Sequence, residues 1–156
     1  MKGCISLVDK TSLRDLIWLT YHSRGVICGV TGLMHIAAAL RKPCVVVAGG
    51  REAWWWDSYD ERSFERHKST IPEKYSKLFP LRPPQVYLDT LGKLPCCRDN
   101  GCWRSGIGEK QPDKNCVDII KPKKYSTEQS IPQPRCMTMI RPGDVVKAAR
   151  TLEGIV

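Results

Sequence analysis

The feature that most restricts the fold lies between residues 25 and 50. Two runs of β-forming apolar residues, Val26-Ile27-Cys28 and Cys44-Val45-Val46-Val47-Ala48, stand on either side of a helix-forming segment rich in small residues, 33–40. Gly25 and Gly29 bound the first run, and Pro43 and Gly49-Gly50 bound the second. Both runs are apolar on successive positions, the pattern of parallel strands covered on both faces. Strand, helix and strand in this order imply a right-handed crossover within a parallel sheet. Upstream, the apolar run at 5–8 predicts a further strand. Thr11 or Ser12, with Asp15 close behind, marks the start of a helix along which Leu13, Leu16, Ile17, Trp18 and Tyr21 recur at helical spacing. Residues 1–50 are thus expected to hold three parallel strands, part of a doubly wound α/β sheet, and residues 85–88 one more short strand.

The 156 residues correspond to one domain by length. With 42% hydrophobic and 26% charged residues, the chain has the composition of a folded globular protein and not of a disordered one. No apolar run is long enough to span a bilayer, and residues 1–12 lack the pattern of a secretory signal, so a cytoplasmic location is expected. The net charge of +9 is diffuse: residues 1–92 carry 13 basic and 9 acidic side chains, and residues 93–156 carry 12 and 7. A nucleic-acid binder gathers its charge on one face or helix; a diffuse excess suits phosphate-bearing small ligands or an anionic membrane surface equally well.

Beyond residue 50 the pattern changes to a tryptophan run, Trp54 to Trp56, and then a charged, proline-rich stretch. Residues 95–136 are loop-like. Pro142 precedes a terminal helix over 145–152. Three units follow: residues 1–95 as the α/β unit, 96–140 as a cysteine-rich segment, and 141–156 as the C-terminal helix. The eight cysteines divide in the same way. Cys4, Cys28 and Cys44 sit beside apolar residues, where a free thiol serves as a small hydrophobe. Cys96, Cys97, Cys102, Cys116 and Cys136 lie in polar, turn-rich sequence. One short cluster plus two distant thiols is a four-ligand layout suited to zinc or a single iron, with disulfides as the alternative.

The stretch Gly29-Val30-Thr31-Gly32-Leu33-Met34-His35 carries the chemistry. A strand ends, the chain turns, and a helix opens with unpaired N–H groups and the positive end of its dipole facing the crevice at the sheet's C-terminal edge. That is a ready diphosphate site. Gly32 allows close approach, while Thr31 and His35 supply further donors. The bland alternative is a capped core helix with a partly buried histidine.

This stretch, continued through Ala37-Ala38-Ala39-Leu40-Arg41-Lys42-Pro43 to Gly49-Gly50, resembles the signature of family 9 glycosyltransferases, the ADP-heptose:lipopolysaccharide heptosyltransferases. Residues 11–16 and 136–145 are similar to segments flanking it in that family. Where members have an acidic residue before the Thr-Gly pair, this chain has Val30. The resemblance implies the C-terminal, Rossmann-like half of a GT-B fold, which binds a nucleotide-diphosphate sugar such as ADP-heptose. It implies a partner N-terminal half with the acceptor site and the catalytic base, and inverting transfer to a glycan or protein. The phosphates would rest on Thr31, Gly32, Leu33, Met34 and His35, and the turn Gly49, Gly50, Arg51 and Glu52 would face the cleft. The tryptophans could stack on a base or sugar ring. The cysteine segment is similar in position, and in its last two cysteines, to the iron finger of heptosyltransferase-like enzymes that glycosylate autotransporter proteins. It has Cys-Cys-x4-Cys where they have Cys-x2-Cys. The rival from another class is a metal-stabilised, non-catalytic binding module, possibly for nucleic acid.

Overall fold

The computed structural model describes residues 3–50, 52–59, 84–94, 97, 117–120 and 131–152. Its centre is a three-stranded sheet formed by β1 (Val26–Gly29), β2 (Cys44–Gly49) and β3 (Gln85–Asp89). The order is β1-β2-β3, and both pairings are parallel. The α/β crossover expected for residues 25–50 is therefore present, and 85–89 joins the same sheet.

Helix α1 (Leu13–His22) starts at Ser12, whose hydroxyl accepts from the Asp15 N–H at 3.2 Å while the Asp15 carboxylate accepts from the Ser12 N–H at 2.9 Å. This reciprocal capping box satisfies two N–H groups that the helix itself leaves unpaired. Helix α2 (Gly32–Ala39) joins β1 to β2. Its buried Met34, Ala37 and Ala38 face inward, and small residues at 37 and 38 let it lie close to the sheet. A four-residue helix α3 (Trp54–Asp57) follows β2. After α4 (Arg135–Thr138), helix α5 (Pro142–Thr151) begins with proline at its N-terminus, where no N–H is needed.

Two clusters sandwich the sheet. On one face Val26, Met34, Ala37, Cys44, Val46, Ala48 and Tyr87 pack together, joined by Cys28, Val30, Leu33 and Trp54. On the other, Val45 meets Ala148, Ala149 and Leu152 of the α5 region, with Val86, Leu88 and Val145 alongside. Alternate residues of β2 feed the two clusters, which is why its sequence is apolar throughout.

The structure departs from expectation in three places. Residues 5–8 form no strand: Ile5 and Val8 are exposed, the Lys10 N–H closes a turn onto the Leu7 carbonyl at 3.1 Å, and Asp9 takes a φ of 58°. An apolar run becomes a strand only where a neighbouring strand pairs with it, and β1, the edge strand of the sheet among the described residues, is not paired with this segment. Cys4, expected to fill core, is exposed for the same reason. Within the loop-like stretch, β4 (Val117–Ile120) and β5 (Ile131–Pro134) pair antiparallel as a separate two-stranded sheet.

Candidate functional site

The C-terminal edge of the parallel sheet brings together two groups of residues. The first is the β1–α2 turn. Val30 is half-buried and packs on the core, so an apolar side chain is at home at this position. Thr31 is the N-cap of α2, with extended backbone and no capping hydrogen bond from its side chain. Gly32 is exposed, and a Cβ built on it would meet nothing within 4 Å. Its φ is not among the positive ones. Among the described residues neither packing nor backbone conformation thus calls for glycine here, whereas close approach of a ligand would. Leu33 is half-buried against the core. The Met34 side chain is fully buried and its N–H bonds the Thr31 carbonyl at 3.0 Å, so its side chain belongs to the core. His35 is exposed on the first turn of α2, with Nδ1 2.9 Å from the Tyr59 hydroxyl. Tyr59 did not stand out in the sequence; only the fold brings it to His35.

The second group surrounds the end of β2. Gly49 has a φ of +65°, left-handed backbone that favours glycine, at a register shift between β2 and β3. A Cβ on Gly49 would lie 2.6 Å from Met137 Sδ and 3.3 Å from Cys136 Sγ. A Cβ on Gly50 would lie 2.9 Å from Cys97 Sγ and 3.4 Å from Cys136 Cβ. The two glycines therefore admit Cys97 and Cys136, both buried, against the turn. The loop after β3 is folded onto the same place: Thr90 donates its N–H to the Gly49 carbonyl at 2.9 Å and its hydroxyl to the Cys136 carbonyl at 3.1 Å. The Cys97 thiol faces the Leu94 and Thr90 carbonyls at 3.4 and 3.6 Å.

Of the remaining expected site residues, Glu52 is half-buried beside this turn. Trp54 packs against the core, a structural use of at least one of the three tryptophans. Arg51, Cys96, Cys102 and Cys116 lie outside the described residues, as do the side chains of Trp55 and Trp56. Among the described residues no group of three or more metal-ligating side chains converges.

Cys28 and Cys44 lie on the α2 face of the sheet with their sulfurs 3.8 Å apart. Their shared hydrogen bond holds the Cys28 thiol below its ordinary pKa despite partial burial. The same bond, reinforced by burial, pushes Cys44 far up, so Cys44 remains a neutral, space-filling thiol.

Residues 1–63 match the model of glycosyltransferase family 9, the heptosyltransferases. The matched segment contains α1, β1, α2, β2, α3 and Tyr59, and hence the whole Thr31–His35 turn; β3 and the five C-terminal cysteines fall beyond it. No curated protein and no solved structure matches the chain. Among the described residues no helix is long and apolar enough to cross a membrane.

Proposed function

We propose that this chain is the nucleotide-sugar-binding, C-terminal half of a heptosyltransferase-like, inverting GT-B glycosyltransferase. Its donor is ADP-heptose or a close relative, and its acceptor a glycan or protein. The observation that carries the proposal is the β1–α2 turn. An exposed glycine that the fold does not require stands beside a threonine whose hydroxyl makes no capping bond, at the start of an eight-residue helix and at the C-terminal edge of a parallel sheet. Helix-start N–H groups at such an edge suit a diphosphate, and the family match over this segment supports a nucleotide-sugar donor.

An N-terminal GT-B half, in the same polypeptide or a separate one, is the proposed partner supplying the acceptor site and catalytic base. Such a partner is compatible with an edge of β1 that no described strand pairs, and with the exposed apolar residues Ile5, Val8, Leu13, Trp18, Tyr21 and Ile27.

The proposal includes a structural metal, iron or zinc, bound by four of Cys96, Cys97, Cys102, Cys116 and Cys136. Cys97 and Cys136 fit this role in that both reach the same Gly49-Gly50 turn from distant parts of the chain. A metal there would pin a loop-rich segment to the sheet edge. The test of the donor site is binding of ADP and ADP-sugars to the parent chain and to Gly32→Val.

A further inference from the structure

Tyr59 is tethered at both ends. Its backbone N–H donates to Gln85 Oε1 at 2.7 Å, and its hydroxyl lies 2.9 Å from His35 Nδ1, the two rings meeting edge to face at 5.7 Å between centroids. The backbone tether is firm. Gln85 is only 8% exposed, the preceding Ser58 is buried, and the Ser58 N–H closes helix α3 onto the Trp54 carbonyl at 3.0 Å. The Gln85 amide is turned so that its oxygen meets the Tyr59 N–H, and its buried Nε2 has no acceptor among the described residues. The Tyr59 side chain, 40% exposed, then reaches across to the first turn of α2.

A neutral imidazole carries its proton on one nitrogen, and the partner of the other nitrogen decides which. We infer that Tyr59 is a positioning residue for the donor site: its hydroxyl donates to His35 Nδ1, which fixes the ring and leaves Nε2–H as the donor to the diphosphate. The inference rests on the donor site proposed above and names a residue that acts on it through His35. The opposite arrangement, Nδ1–H donating to the tyrosine oxygen, would turn Nε2 into an acceptor, the wrong polarity for an anion.

The test is side-chain ¹⁵N NMR of the full chain and of Tyr59→Phe at mildly alkaline pH, with and without ADP. His35→Gln assigns the signals among the three histidines. The expected parent spectrum shows the Nε2–H tautomer. Tyr59→Phe should move the Nδ1 resonance toward that of an acceptor lacking a hydrogen bond, while the α2 backbone amides stay in place, and should weaken ADP about 3- to 10-fold, the worth of one ordinary hydrogen bond. An Nδ1–H tautomer in the parent, or His35 signals unchanged in Tyr59→Phe, overturns the inference. Equal ADP affinity for the two proteins overturns the role of Tyr59 alone. ADP that leaves His35 untouched in the parent removes the donor site itself.

Discussion

Cys97 fills the space that a side chain at Gly50 would need: a Cβ on Gly50 would lie 2.9 Å from Cys97 Sγ and 3.2 Å from its Cβ. Cys97 and Cys136 are therefore seated on the end of β2, and the end of β2 is shaped to receive them. Gly50→Ala is predicted to destabilise the chain by about 1–3 kcal/mol, the usual cost of overpacking. Chemical denaturation with an unchanged m-value is the measurement. A neutral Gly50→Ala would mean that Cys97 is not held against the turn.

The proposed metal makes a prediction of its own. Protein purified without a metal-bearing tag should carry about one iron or zinc per chain, since a structural tetrathiolate site stays filled. Elemental analysis decides it. Cys97→Ser and Cys136→Ser should each lower the metal content, and a parent chain with less than about a tenth of an equivalent of both metals would rule the site out.

At the start of α1, the Ser12 hydroxyl and backbone N–H hold the Asp15 carboxyl below its ordinary range. A carboxylate with a depressed folded-state pKa stabilises the fold above the unfolded value, and that contribution is lost as pH falls through the folded value. Asp15→Asn is thus predicted to lower thermal stability at neutral pH and to flatten its decline below about pH 4. An acid limb identical in parent and variant would contradict the capping box.

What could be seen in advance follows the range of the interactions. The α1 cap was legible because Ser12 and Asp15 are three residues apart, and β2 because continuous apolar sequence from Cys44 to Ala48 suits burial on both faces. The Thr31–Gly32 turn was legible for the same local reason. Residues 5–8 misled because apolar character alone does not supply a pairing partner. Tyr59 meets His35 across 24 residues, and Cys97 and Cys136 meet Gly50 across 47 and 86; no periodicity encodes such contacts. The glycine pair was noticed as a turn, while the reasons that it must be glycine lie in the left-handed backbone of Gly49 and in Cys97, Cys136 and Met137 far along the chain.

The central claim is that a nucleotide diphosphate binds at the start of α2. The most direct measurement is a ¹H–¹⁵N NMR titration of the full chain and of Gly32→Val with ADP, which detects the weak binding expected of a half-site without its partner domain. Gly32 has open space around it, so valine should leave the fold intact. The account predicts saturable shifts at Thr31, Gly32, Leu33 and His35 in the parent and their loss in Gly32→Val. Equal shifts in the two proteins, or ADP shifts confined to residues away from this turn, would contradict it.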